Sequence, residues 1–289
     1  MRHYPCSVAA VVLLAVCSLG FAEDAAYPIK LHRDCKVGDS YNTRITYENS
    51  NATTLKAPPA APKLKKEAFK GQLEGCVKVL AINAIGNASS FTIVVKKFAD
   101  DEGKEIIPAD QIIEVTRGEE EVTFALKGGT ALSNEAKAIL SFLYRPDRGA
   151  STDDDSFGTD KPQNVGASWP INAEASAKSA VSAGITVDPK DVAGSVTFKA
   201  VEKTSAGAPA LRLAATMTVK NPKLSIPANA TLESCTVKVT FGGLFPVDAA
   251  ALAAESSLSM DMTIHMVRDG VNLERVAHMA QKEVITSMK

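Results

Sequence analysis

His265 and His278 stand on either side of a strong turn signal, Asp269-Gly270, and Asp261 lies close to the first histidine. Imidazole nitrogens and a carboxylate are ligands that zinc accepts, so a metal site is one hypothesis. Such a site needs three or four converging ligands, and no third ligand has a fitting spacing. We therefore expect His265, on the polar side of an alternating stretch, to be a surface residue.

Two acidic runs raise other chemical hypotheses. Asp153–Asp155, followed by Asp160, is rich in carboxylates that suit calcium, but it lacks the alternating ligands and distal Glu of an EF-hand. Glu119–Glu121 supplies neighbouring carboxylates of the kind that glycosidases use, but the run flanks a predicted turn. We expect both runs to be solvated charge rather than sites.

The sequence has no G-x-S-x-G elbow, no P-loop, no dinucleotide fingerprint and no C-x-x-C pair. We therefore assign no catalytic, cofactor-binding or metal-ligating residue, and we expect a protein that is not an enzyme and carries no cofactor. Cys235 lies in strand-like sequence and is expected to be a buried small hydrophobe. A Cys35–Cys76 disulfide stays open, because an exported protein meets oxidising conditions.

The first 22 residues predict a signal peptide. Basic Arg2 and His3 precede an apolar segment, Ser7–Leu19, and small residues at Gly20 and Ala22 predict cleavage after Ala22. Lipidation at Cys17, at the end of the lipobox-like Leu14–Cys17, and an uncleaved anchor are the alternatives. No later run approaches the ~20 apolar residues of a membrane span. We expect an exported protein, periplasmic, in the cell envelope or extracellular, with no membrane span after cleavage.

The formal net charge is −1, so there is no basic excess to attract nucleic acid. Most of the chain instead alternates apolar and polar residues, which is typical of half-buried strands. The clearest case is Leu258–Met266. The stretch from Val271 to Met288 fits a strand or a helix, and we favour a strand because it would pair with Leu258–Met266 across the turn. Asn49–Pro62 is predicted to be an exposed loop. One helix is predicted, Asn134–Leu143, capped by Ser133.

One phrase occurs twice. Lys36–Tyr41 and Asn164–Trp169 both read Val-Gly-x-Ser-aromatic and lead into strand-like sequence, which suggests an internal duplication. We predict a mainly β protein of two duplicated, curved antiparallel sheet units, half-barrel or sandwich-like, with one short helix between them. The predicted division is a signal peptide at 1–22, a first unit with its C-terminal helix at 23–146, an acidic linker at 147–163 and a second unit at 164–289.

The second copy extends to Lys161–Trp169, which resembles the "kPvkVGdsW" phrase of a family of exported bacterial proteins classed as a domain of unknown function. Asn164 and Ala167 stand where that phrase usually has Lys and Asp. In the family a short helix and a loop precede the phrase and antiparallel strands follow it, as predicted here. The resemblance implies an envelope or secreted location and no established activity, so it supplies no functional residues.

Three classes of function remain, and we prefer a noncatalytic envelope or secreted protein that acts through its surface. The alternative is a carrier that holds a lipid or another hydrophobic ligand in a groove between curved sheets. Four methionines, adaptable in shape, would suit such a lining, although they also suit a plain core: Met217, Met260, Met262 and Met266. An enzyme is the third class. The expected partners are a hydrophobic ligand or another envelope protein, not nucleic acid.

Overall fold

The alternating segments form one antiparallel sheet of eleven strands. The structure is a computed structural model that describes residues 25–56, 61–146, 151–182, 185–224 and 226–287. The predicted signal peptide lies outside these residues. The strands are β1 (Ser40–Lys56), β2 (Lys63–Ile82), β3 (Ala88–Asp100), β4 (Ile112–Arg117), β5 (Val122–Leu126), β6 (Ser168–Pro170), β7 (Val192–Lys203), β8 (Pro209–Lys220), β9 (Ala230–Pro246), β10 (Glu255–Arg268) and β11 (Val271–Ser287).

Strand order runs β5-β4-β3-β2-β1-β11-β10-β9-β8-β7-β6, so the first and last long strands are neighbours at the centre. β1 and β11 pair over sixteen residues, from Tyr41 opposite Ser287 to Lys56 opposite Asn272. We call this pairing the seam. The mainly β, antiparallel prediction is confirmed, but the two predicted sheet units are halves of one continuous sheet, because the seam joins their inner strands.

The two faces of the sheet differ in character. One face carries the apolar side chains and the helices, and we call it the helix-covered face. The opposite, polar face carries ion pairs such as Arg44 with Glu74, whose side-chain atoms are 2.7 Å apart. A one-residue slip in register would exchange these faces, so the apolar alternation fixes the register of strands that alternate regularly, such as β8.

The helix-covered face has two separate hydrophobic clusters. The first cluster, on β1–β5 and the helix that follows them, includes Ile45, Leu73, Ile93 and Leu140. The second cluster, mainly on β6–β10, includes Val196, Phe198, Leu213 and Val237, and it also takes in Ile29 and Leu31. The segment that precedes β1 therefore packs on the other half of the sheet, across the predicted boundary between units.

Three α-helices lie among the described residues, where the sequence predicted one: α1 (Asn134–Leu143), α2 (Asp153–Phe157) and α3 (Ala173–Ser182). For α1 the prediction is confirmed, since the Ser133 Oγ accepts the N–H of Ala136 at 3.1 Å and the predicted apolar face is buried. The predicted acidic linker contains α2, because Thr152 and Asp155 form a capping box that starts a helix. None of the three is long and apolar enough to cross a membrane.

The predicted loop at Asn49–Pro62 is wrong for most of its length. Asn49–Lys56 continues β1 and pairs with β11 on one side and with β2 on the other. Two flanking ladders satisfy the backbone of this segment, and they outweigh the weak strand preference of its Asn, Ala and Ser residues. The prediction that the C-terminal stretch is a strand is confirmed, and Asp269 and Gly270, with φ of 51° and 76°, form the turn before it.

The two copies of the repeated phrase form the same turn. Gly38 has φ +94° and Gly166 has φ +86°. In each copy, the residue after the glycine donates its N–H to the carbonyl three residues earlier, at 3.0 Å. Each glycine donates its own N–H to the adjacent strand, Gly38 to Val79 at 2.9 Å and Gly166 to Phe198 at 2.8 Å. Both acceptor residues are followed by a register shift in their hairpins.

We expect Gly38→Ala and Gly166→Ala to lower the free energy of unfolding by similar amounts, about 1–2 kcal/mol each, because a Cβ is strained at positive φ. Urea unfolding followed by circular dichroism measures this. Val37→Ala, at a 63% exposed residue of the same turn, is the control and should change stability by less than ~0.5 kcal/mol. A glycine variant as stable as the control would contradict the shared-turn interpretation.

Candidate functional site

Four apolar side chains stand at one level on four adjacent strands of the helix-covered face. Met217 on β8 is opposite Val239 on β9, which is opposite Met260 on β10, which is opposite Met279 on β11. Directly opposed residues in an antiparallel sheet point to the same face, so these four form a continuous row across the sheet. We call them the methionine row.

Helices α2 and α3 lie over this row and leave a recess of about 200 Å³ between helix and sheet. Phe157 of α2 and Ala180 of α3 line it from the helix side, together with Ile185 just after α3. Both helices are placed by their caps: Thr152 starts α2, and the Asn172 Oδ1 accepts the N–H of Ala175 at 3.2 Å at the start of α3.

The recess lies at the edge of the second cluster, since Val219 and Val237 of that cluster line it. Helix α1 covers the first cluster, while α2 and α3 flank the second. Met279, beside the seam, belongs to neither cluster, and Met217 and Met260 remain half-buried. A flexible, unbranched thioether side chain suits such a place because it can repack around what enters.

The predicted methionine set is only partly at the recess. Met217 and Met260 line it, whereas Met262 and Met266 pack against the second cluster away from its lining. Met279 was missed, because its stretch lacks the strict alternation of β10 and its position beside Met260 depends on the hairpin register. Helices α2 and α3 were also missed, although Thr152 and Asp155 carry a capping-box pattern that the sequence displays.

The side chains of Arg145 and Ser176 bring hydrogen-bond donors to the recess. The Arg145 Nη2 donates to the Met279 Sδ at 2.8 Å, and in the described chain its guanidinium forms no ion pair with a carboxylate. Desolvation lowers the pKa of Arg145 although the side chain still meets solvent. The Ser176 Oγ, in a residue only 4% exposed, has no hydrogen-bond partner among the described residues. A buried hydroxyl without a partner costs about 1–3 kcal/mol.

Further along β11, Glu283 forms a second polar feature of the helix-covered face. The Thr43 Oγ1 donates to the Glu283 Oε1 across the seam at 2.7 Å. Burial raises the pKa of Glu283, and the hydrogen bond from Thr43 opposes that shift. The pKa values of Tyr41 and Tyr144 are also raised, first by burial and then by the negative charge of Glu283.

The histidines do not converge. The His278 Nδ1 lies 2.7 Å from the Asp261 Oδ1, while His265 stands opposite Glu274, four residues further along β10. Asp261 is close to His265 in the sequence, but the strand register puts it beside His278. Within the described ranges no group of three or more His, Cys, Asp or Glu side chains is arranged to hold a metal ion.

The acidic runs have different surroundings. The Asp154 Oδ1 accepts the Leu31 N–H at 2.6 Å, and its Oδ2 is 2.5 Å from the Lys30 ammonium, so this carboxylate anchors the segment before β1. The expectation of a wholly solvated run is therefore wrong at Asp154, whereas Glu119–Glu121 is exposed between β4 and β5. Cys35 is a free thiol, so the Cys35–Cys76 disulfide is not formed.

A larger hollow of about 510 Å³ opens on the polar face. Its lining includes Lys70, Asp101 and Lys282, whose side chains are 58%, 52% and 51% exposed. Water already satisfies such groups, so a ligand gains little by replacing it. The smaller recess is the better candidate because its walls are apolar and the buried Ser176 hydroxyl has no hydrogen-bond partner among the described residues.

Comparison with known proteins does not supply a function for this chain, so the function has to be inferred from the geometry. Neither a protein-family model nor a curated protein matches the chain. Among solved structures, DynF from the dynemicin biosynthesis pathway of Micromonospora chersina aligns over 90% of this chain and 89% of its own, with 10% identity and a TM-score of 0.17. A TM-score this low carries no structural argument.

Replacing Glu283 with Gln should change how stability depends on pH. Because the folded-state pKa is raised, the folded protein holds this proton more tightly, and wild-type stability falls as pH rises from about 4.3 through the folded value. Glu283→Gln lacks that loss, so its stability relative to wild type should grow from pH 4 towards neutrality. Urea unfolding at several pH values measures it.

Glu48→Gln, on exposed Glu48 of β1, controls for removing one negative charge. Parallel pH profiles for wild type and Glu283→Gln would contradict the assignment of a raised pKa to Glu283.

Proposed function

We propose that this chain is an exported, noncatalytic carrier that holds a hydrophobic ligand between α2, α3 and the methionine row. The observation that carries the proposal is the recess itself, an apolar row across four strands beneath two helices that leave it unfilled. Export rests on the signal-peptide features of residues 1–22. This proposal ranks the carrier above a protein that acts only through its surface.

The size of the recess limits the ligand. A volume of about 200 Å³ is below the ~300 Å³ of a small drug-sized pocket, so one apolar chain fits it better than a whole diacyl lipid. Burying a methylene contributes about 0.8 kcal/mol, and six of them give about 5 kcal/mol. That corresponds to a dissociation constant on the order of 0.1–1 mM before any contact with a head group.

The edges of the sheet favour a ligand over a protein partner that adds a strand. β5 has five residues, and β6 has three and ends at Pro170, which has no N–H to donate. Short edges and proline are the means by which sheets avoid pairing with other chains. Another envelope protein remains the alternative partner, to be separated from a ligand by the binding experiment below.

We also infer that the two halves are a duplicated unit. The repeated phrase makes matching turns, and the hairpins that follow also match. Gly86 and Gly207 have φ of +79° and +85°. The hairpin ends close in the same way, with the Asn83 N–H donating to Asn87 and the Thr204 N–H donating to Ala208, at 2.9 and 2.8 Å. On this inference, the recess is an asymmetric addition that α2 and α3 make to one copy.

Filling the recess should abolish binding. In Ala180→Trp, the indole of a residue that lines the recess occupies the space for a ligand, and we expect at least a tenfold loss of affinity for the neutral dye Nile red. Val181→Trp adds the same group to the same helix at a 52% exposed position, and its affinity should stay within about twofold of wild type. Fluorescence titration measures both, and circular dichroism checks folding.

Native mass spectrometry of protein purified from the host envelope should also reveal a co-purifying apolar molecule. An apo mass together with no uptake of Nile red would overturn the carrier function and leave an interaction protein. Equal binding by the two tryptophan variants would place the ligand elsewhere.

A further inference from the structure

Arg145 follows the end of α1 and reaches the recess from the first half of the chain. Its Nη2 donates to the Met279 Sδ at 2.8 Å, so the guanidinium abuts the end of the methionine row. A thioether is a weak acceptor and leaves most of the five N–H donors of an arginine available. The part of the chain that the structure describes gives this guanidinium no carboxylate within 4.0 Å.

Asp153 is the other charged side chain that lines the recess. The charges that act on it most are those of His32 and Asp154, not that of Arg145. Burial raises the pKa of this carboxyl and so favours its neutral form, whereas an arginine stays charged under all ordinary conditions. The charge in contact with the methionine row is that of Arg145, which is positive.

We propose that the ligand is a single apolar chain with an anionic head, whose chain lies along the methionine row and whose head binds the guanidinium of Arg145. This inference rests on the proposed carrier function and adds the class of ligand to it. A planar guanidinium binds a carboxylate or a phosphate through two parallel hydrogen bonds, which sets both the affinity and the orientation of the head.

The volume limits the chain length. A recess of about 200 Å³ is smaller than a drug-sized pocket of ~300 Å³, so we take a chain of about eight carbons, with its head at the mouth, as the test ligand. The buried Ser176 hydroxyl, which lacks a partner, gives the recess a second donor for an oxygen-rich ligand.

The test compares four ligands that share one chain and differ in the head: octanoate, octyl phosphate, octan-1-ol and octylammonium. Displacement of Nile red from the intact protein gives each affinity. We expect octanoate or octyl phosphate to bind at least tenfold more tightly than octan-1-ol, and octylammonium to bind most weakly. The two anionic ligands distinguish a carboxylate head from a phosphate head, and either one supports the proposal.

Arg145→Gln should weaken the preferred anionic ligand about tenfold and leave octan-1-ol within twofold, while Arg145→Lys should keep part of the preference. Arg275→Gln is the matched control, because Arg275 donates to Asn51 Oδ1 at 2.9 Å near the other end of β11 and does not line the recess. Asp153→Asn should not weaken octanoate, since neither form of this carboxyl attracts an anionic head.

The outcomes separate the two proposals. If octan-1-ol and the anionic ligands bind equally and Arg145→Gln changes neither, the carrier function stands and the anionic-head inference is overturned. If octylammonium binds best and Asp153→Asn weakens it, the inference is overturned in favour of a cationic head. If no ligand and no dye binds, the carrier function itself fails.

Discussion

The pairing of β1 with β11 is the interaction on which the rest of the molecule depends. Sixteen residue pairs join the first long strand to the last, and they turn two half-sheets into one sheet of eleven strands. Without this seam, each half would present a long, unpaired inner edge, which is a site for aggregation. The seam also brings Thr43 to Glu283 and thereby places a buried carboxyl at the centre of the helix-covered face.

The recess follows from the seam. Each half brings its own hydrophobic cluster and its own helices, and the seam sets the clusters side by side without fusing them. Met279 lies between them, and Arg145 reaches it from the first half while α3 approaches from the second. Because both halves contribute to the site, the site forms only when the whole sheet is folded. A ligand that binds only this folded state therefore stabilises the fold, including the seam, by mass action.

Local sequence signals predicted the local structure well. Leu258–Met266 alternates and lies in β10, Asp269-Gly270 forms the predicted turn, and Ser133 caps the predicted helix. Each of these features depends on residues within a few positions of one another. The predicted strand boundaries were wrong where pairing with neighbouring strands determines the structure. Asn49–Lys56 has a loop-like composition, but it forms a strand because it pairs with a strand on each side.

The seam and the recess could not be predicted in this way. Tyr41 and Ser287 pair across most of the chain length, and Arg145 meets Met279 134 residues away. Neither composition nor periodicity predicts contacts between residues so far apart in the sequence. The alternating sequence of β10 shows that its methionines share one face of the sheet. It does not show which of them lie under α3 and line the recess. Met260 lines the recess and Met266 does not, although both lie on the same face of one strand.

Methyl NMR of protein labelled at the methionine ε-carbons tests the central claim most directly, because five of the seven methionines lie in β8, β10 and β11. On addition of octanoate, the account predicts shifts for the methyl groups of Met217, Met260 and Met279, while that of Met266 stays in place. Shifts confined to Met266, or no shift at any methionine under saturating ligand, would contradict it.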